Sequence, residues 1–318
     1  MRKNKIFILL LPIVAIILLT AAGLFSGSAD VNWSHWQHDP IFQLRLIRIL
    51  TALTAGAALS LSGMTLQTVL HNPLAEPFTL GISAGAGVGA AVAFILNLHL
   101  LTFWAVPFMA LLGALLLLGA VLIFSRGKNA EHMLLSGVIA GTVASSILMY
   151  LVSISQQDEL ANLAWWMLGD LQAAEEKILY PALFITIAST LFLRLTAREL
   201  NAVALGDETA WALGVNAGFF RIVFILTASL LAALTAALTG LIAFAGLIVP
   251  HLVRKVLGSD HHRIVLPAAL WGGAFLLACD ILSKSLSSSE LPIGVMTSSV
   301  GGIMFIFILN SRGKISCK

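Results

Sequence analysis

Charge is what this chain has least of. Lys, Arg, Asp and Glu together make up 10% of 318 residues, while hydrophobic residues make up 59% and the mean hydropathy is +0.97. A soluble domain keeps roughly a quarter of its residues charged, so the composition excludes a water-facing globule and indicates an all-α polytopic membrane protein. Cysteine is nearly missing. Cys279 and Cys317 fall at opposite ends of the membrane in the span assignment below, so neither a disulfide framework nor a Cys-based metal site is implied. No G-x-x-x-x-G-K-[ST] stretch occurs, which excludes a phosphate loop for ATP. No span carries a deep chain of Asp, Glu or Lys, which argues against ion-coupled transport. The net charge of +3 resides in loops and implies no nucleic-acid partner.

Long apolar runs are abundant. Measured against the ~20 residues that cross a bilayer as a helix, eight stand out: 6–25, 49–70, 80–96, 101–124, 133–154, 178–195, 264–282 and 293–309. The stretch 222–250 has no charge and is long for one helix and short for two. Basic residues near span ends stay on the cytoplasmic side. Placing Arg2, Lys3 and Lys5 inside and alternating puts Arg126, Lys128, Arg194, Arg198 and Arg221 inside as well. Arg254, Lys255 and Arg263 belong there only if 222–250 crosses, turns near Thr239-Gly240 and returns through 242–257 as a short, interrupted helix. That makes ten spans with both termini cytoplasmic, including the tail with Arg312, Lys314 and Lys318. Only Arg45, Arg48, Lys177 and Lys284 of the 18 Lys and Arg residues are then outside. The first apolar run, about 19 residues, exceeds the core of a signal peptide and is read as an uncleaved span. No connection is long enough for a second domain, so 1–318 reads as one membrane domain.

The polar loops hold the rest of the information. The outer loop 156–177 carries Asp158, Glu159, Asp170, Glu175 and Glu176 around Trp165-Trp166, a pattern that suits either a headgroup-level surface helix or part of a docking face. In the cytoplasmic loop, about 196–221, Asp207 and Glu208 open a short helix that stops at Gly214. Such a helix is either a bland surface feature or a handle for a soluble partner. Two prolines make Asn72-Pro73-Leu74-Ala75-Glu76-Pro77 a rigid turn. Gly81, Gly85 and Gly89 recur every four residues, a face for close helix packing. Arg45 and Arg48 share one helix face at an outer mouth, as lipid anchors or as anchors for an outside partner. Asp280 and Lys284 are spaced to pair along a helix. Gly81-Ile82-Ser83-Ala84-Gly85 matches the G-x-S-x-G nucleophile pattern, which requires a strand-to-helix elbow and here falls in a membrane helix. His35 and His38 have helical metal-ligand spacing without a further ligand nearby. No catalytic, cofactor or metal site is expected.

Taken together, several segments resemble the FecCD-type permease subunits of ATP-binding-cassette importers for iron-siderophores, haem and cobalamin. The match runs from Arg45-Leu46-Ile47-Arg48 through Gly56-Ala57-Ala58-Leu59, Ser62-Gly63, Gln67 and the turn from Asn72 to Pro77. It resumes at Leu205-Gly206-Asp207-Glu208 and Leu213-Gly214-Val215. It is densest at Gly246-Leu247-Ile248-Val249-Pro250-His251, followed by Arg254, Gly258, Asp260, His262-Arg263, Pro267, Asp280 and Glu290-Leu291-Pro292-Ile293-Gly294. The resemblance implies a type II importer architecture: a non-catalytic homodimer in the cytoplasmic (inner) membrane, two ATPase subunits, an extracytoplasmic binding protein and a path along the two-fold axis in contact with lipid. It implies docking of the binding protein on Arg45, Arg48 and Lys284. Coupling to the ATPase falls to Gly206, Asp207, Glu208, Leu213 and Gly214. Gating falls to Asn72 and Leu74, with Met64 and Gln67 facing the path. Ile47 stands where the family usually has Pro, Lys284 where it usually has Arg, and Ile303 follows Gly301-Gly302 where Pro is common. Ferric siderophore is the first expectation for the cargo, with cobalamin and haem as alternatives; a secondary transporter is the alternative of another class.

Overall fold

Thirteen α-helices and one 3-10 turn, Leu98–Leu100, make up the regular structure among the described residues of the computed structural model, which are 3–26, 39–125, 130–172, 175–286 and 291–313, with side chains described from 10 to 307. Arg2, His35, His38, Arg126, Lys128, Glu290, Lys314, Cys317 and Lys318 lie outside them, as do the side chains of Lys3, Lys5 and Arg312. The helices are α1 (Lys3–Phe25), α2 (Pro40–Val69), α3 (Ile82–Ile95), α4 (Ala105–Phe124), α5 (Ala130–Ile154), α6 (Gln157–Leu168), α7 (Glu176–Leu195), α8 (Ala197–Ala204), α9 (Asp207–Ala212), α10 (Ala217–Thr239), α11 (Ala245–Leu257), α12 (His261–Leu286) and α13 (Ile293–Gly313). Six of them, α2, α4, α5, α7, α10 and α12, are long and apolar enough to cross a membrane, and α1, α3 and α13 add shorter apolar stretches. With α11 these are the ten spans expected from charge placement. The short helix α6 lies at one end of the bundle and α8 and α9 at the other; the two ends are named for α6 and α9 below.

The bundle is built around α2. Its apolar window is 83% buried, against 17% for α5 and 28% for α4 and α7, which therefore form the exposed rim of the single subunit. Small residues make the centre possible. Gly56 packs against Gly272 of α12, and a methyl group added at Gly63 would overlap the carbonyl oxygen of Gly246 in α11, so the backbones meet with no side chain between them. The four-residue glycine spacing has the same use one layer out: Gly85 and Gly89 lie against Gly113 and Met109 of α4. Gly81 lies outside that helix face, as the left-handed N-cap of α3.

Two departures from the expected spans have local causes. Helix α2 starts at Pro40, well before 49, because Asp39 is a cap: its Oδ1 accepts from the Ile41 amide at 2.7 Å and the Phe42 amide at 3.4 Å, and Pro40 has the φ of a first helical residue. The loop 196–221 holds two helices, since α8 precedes α9. The break in 222–250 falls where expected. Helix α10 ends at Thr239, and Gly240 takes φ 72 and ψ −158, a region open to glycine alone. Helix α11, with 13 residues, rises only about 20 Å, so the non-helical residues 241–244 carry the remainder of the return crossing.

Candidate functional site

At the α6 end, α2 and α12 bring the three expected docking cations together. Asp280, one turn before Lys284 on α12, is 1% exposed and stands between two of them. Arg48 donates to Asp280 Oδ1 through Nε at 2.8 Å and Nη2 at 2.7 Å, and Lys284 Nζ lies 3.0 Å from Oδ2. Arg45 donates through Nη1 to the carbonyl of Leu24 in the last turn of α1, where helix carbonyls have no intrahelical donor. Each cation is thus aimed by an acceptor within the subunit. The cations stand at an end that also carries Asp158, Glu159, Asp170, Glu175 and Glu176 on and around α6. At the same end, α6 and the start of α7 border a cavity of about 330 Å³ lined by Phe103, Trp165, Trp166, Asp170 and Glu175 among others.

At mid-depth, α2 crosses the start of α11. Pro250 sits inside α11 and has no N–H to give to the carbonyl of Gly246 four residues earlier. Gln67 supplies the missing donor: its Nε2 lies 3.2 Å from Gly246 O and 3.3 Å from Leu247 O. The placement corrects one expectation. Met64 is 0% and Gln67 4% exposed within the single subunit, because the Gly63–Gly246 contact draws α11 onto that face of α2. They hold the broken crossing together from inside and do not line a surface path.

At the α9 end the expected gate turn leaves α2 through His71, a left-handed residue at φ 49. Asn72 Oδ1 accepts from the Leu74 amide at 2.9 Å, which fixes the turn and presents Leu74, 50% exposed. Glu76, half-buried in the same turn, accepts a hydrogen bond from the Phe244 amide, at the left-handed N-cap of α11. Burial pushes its carboxyl from 4.5 up to about 7, against the smaller opposing effect of that amide. Gate turn and broken crossing are therefore in direct contact.

The expected coupling segment is α9 itself. Gly206 precedes it at φ 98, Leu213 caps it and Gly214 ends it at φ 76. Asp207 is paired with Arg221 of α10, so the helix start is tied to a span. Trp211, missed in the sequence, is 81% exposed, and in the same segment Leu205 is 64%, Phe219 59% and Leu213 51% exposed. A Trp just after the polar run from Asp207 to Thr209 was the available signal, since nothing in so short a helix can bury it.

The G-x-S-x-G match has no elbow, because Ser83 lies in the first turn of α3. Among the described residues no three His, Cys, Asp or Glu converge as a metal set.

The model of the FecCD transport family matches residues 6–311. The chain is 39% identical over 279 residues to the vitamin B12 import system permease protein BtuC of Klebsiella pneumoniae, covering 86% of this chain and 83% of that one. It is 36% identical to the protein of that name from Yersinia pestis, over 92% of this chain and 90% of the other. To the one from Escherichia coli it is 33% identical, over 98% and 97%. Among solved structures, an inward-facing metal-chelate type ABC transporter superposes with a TM-score of 0.88 at 28% identity, covering 96% of this chain and 99% of that one. PsaBC from Streptococcus pneumoniae shares the fold, with a TM-score of 0.61 at 15% identity over 84% and 91%.

Proposed function

The chain belongs to the FecCD transport family, and from that premise we propose that it is the permease subunit of an ATP-driven importer for vitamin B12. The observation that carries the cargo is the 39% identity to the Klebsiella permease over 86% of this chain. Ferric siderophore, the first expectation from the sequence, gives way to cobalamin on that ground. A metal chelate remains as the second reading, favoured by the metal-chelate type transporter at TM-score 0.88.

The chain is a multi-pass membrane permease without chemistry of its own; hydrolysis of ATP belongs to a separate ATPase subunit. In this reading the α9 end faces the cytoplasm with both termini, in the cytoplasmic membrane, and two copies of the chain enclose the path. The ATPase seats on α9, with Trp211 as its apolar anchor and Leu205, Leu213 and Phe219 exposed in the same segment. Large exposed aromatics surrounded by apolar residues are the usual hot spots of an interface. An acidic face of the binding protein meets the cations at the α6 end, held ready by Leu24 and Asp280. Asn72, Leu74 and the Phe244 corner form the inner gate, so that the bundle opens to one side at a time. A path that only alternates access needs no tight cargo site, and specificity resides mainly in the binding protein.

The test is uptake into vesicles that contain the permease with its ATPase and binding protein. ATP-dependent accumulation of cobalamin, and not of ferric siderophores or haem, is expected. Accumulation of a ferric chelate instead would establish the second reading. Uptake driven by an ion gradient without ATP would overturn both.

A further inference from the structure

Two hydrogen-bonded links join the segment that carries α9 to the segment that carries the gate turn. On the α9 side lies α8, separated from α9 by Leu205 and Gly206 alone. Its Asn201 is oriented by its neighbours: Nδ2 donates to Asp260 Oδ1 at 3.0 Å, and Oδ1 accepts from the backbone N–H of His261 at 3.0 Å. Oδ1 has no proton to give, so its 2.6 Å contact with His261 Nδ1 is donated by the ring. Nδ1 carries the proton, and the neutral imidazole presents Nε2 as an acceptor. Thr68 Oγ1, 2.9 Å away, donates to it; the carbonyl of Met64, at 2.8 Å, is the acceptor this hydroxyl would otherwise use. The relay runs without an orphan from Thr68 in the last turn of α2, through His261 at the head of α12, to Asn201 on α8. Its inner end is closed to water, with His261 3% and Thr68 7% exposed, while Asn201 is half-buried.

The second link starts three residues further on. His71 Nε2 donates to the carbonyl of Val203, also on α8, at 3.0 Å, and the next residue is Asn72. Ala197, Leu200, Ala202 and Val203 are buried, where α8 packs against α2, α10 and α12. Directional bonds with a buried end resist sliding, the buried His261–Thr68 contact most of all; a displacement of α8 carries the partners or breaks the bonds.

We infer that these two links form the latch through which displacement of α9 reaches the gate turn, with Asn201, His261, Thr68 and His71 as positioning residues of the transport cycle. The inference rests on the importer reading above. Removing the latch separates hydrolysis from transport. In vesicles containing permease, ATPase and binding protein, Asn201→Ala is expected to assemble with the ATPase and hydrolyse ATP while cobalamin taken up per ATP falls about tenfold. Thr68→Val, which removes one hydroxyl at nearly constant shape, decides the matter if Asn201→Ala does not assemble; it should lower the same ratio. A ratio equal to wild type in an assembled variant overturns the latch. Should the wild-type assembly show no ATP-dependent uptake of cobalamin, the cargo reading fails and amide exchange on the permease alone tests the latch. Residues 71–76 are then expected to exchange faster in Asn201→Ala than in wild type, and unchanged protection of that turn overturns the latch.

Discussion

Gln67 stands in for the hydrogen-bond donor that Pro250 lacks. The proline leaves the Gly246 carbonyl without its intrahelical partner, and the Gln67 side chain, arriving from α2, occupies that place at 3.2 Å. In a membrane no water is available to a freed backbone carbonyl, so a broken helix persists only where another group satisfies it. The proline and the glutamine are one device: the proline removes one hydrogen bond inside α11, and the glutamine returns a donor to the carbonyl left behind.

Truncating Gln67 to Ala should therefore cost about 1–3 kcal/mol, the range for a buried acceptor left without a partner. The cost should shrink when Pro250 is also replaced by Ala, because the peptide N–H returns. Unfolding of the purified permease in detergent, for the two single variants and the double, measures the coupling. Equal costs of Gln67→Ala in both backgrounds would show that the side chain acts only by filling space.

Asp280 should matter more to the α6 end than either cation it holds. Asp280→Asn leaves Arg48 and Lys284 facing each other in a buried place; breaking a buried pair from one side typically costs about 3–5 kcal/mol. Arg48→Glu is a poor probe of docking for the same reason, since it sets two carboxylates together. Arg45→Glu is the cleaner one. It should weaken the binding protein about tenfold at low salt, and less as salt rises, as titration of the labelled binding protein against reconstituted permease would measure. A loss independent of salt would exclude charge as the basis of docking.

Glu76 gives the gate turn a pH dependence of definite sign. Its carboxyl ionises at 4.5 in an unfolded chain and at about 7 in place, so between those values the folded state holds a proton that the unfolded state has released. The contribution to stability is complete below 4.5 and is lost as pH rises through about 7. Glu76→Gln removes the difference. Thermal unfolding of the two proteins across this window should show wild type losing stability relative to the variant as pH rises; parallel curves would mean that the carboxyl is solvated.

Much of this architecture was legible in the sequence because a membrane leaves few options. The return at Thr239-Gly240 follows from where Arg254, Lys255 and Arg263 have to lie, and glycine is the residue that can make that turn. Asp39-Pro40 was legible as a helix start but was hidden by the expectation that a span begins where charge ends; α2 instead carries Arg45 and Arg48 inside its first turns. Met64 and Gln67 were placed on the wrong surface because spacing along a helix gives a face and not its neighbour, and the neighbour here, the Gly246 turn of α11, is almost two hundred positions away. The bonds of Asn201 and His261 had no local signal for the same reason.

Trp211 tests the partner most directly, because the prediction separates an interface from a fold. At 81% exposure on a six-residue helix the indole supports nothing within the subunit, so Trp211→Ala should leave thermal unfolding of the isolated permease unchanged. An aromatic anchor at the centre of an interface is worth about 2 kcal/mol or more on truncation, enough to weaken ATPase association some thirtyfold. Co-purification of the ATPase should fall accordingly, and Trp211→Phe should restore part of it. Asp207 has the opposite profile. Its pairing with Arg221 fixes the angle at which α9 leaves the bundle, so Asp207→Asn should leave the anchor in place and lower transport per ATP hydrolysed. Full ATPase association in Trp211→Ala, with the permease folded, would place the ATPase on another surface.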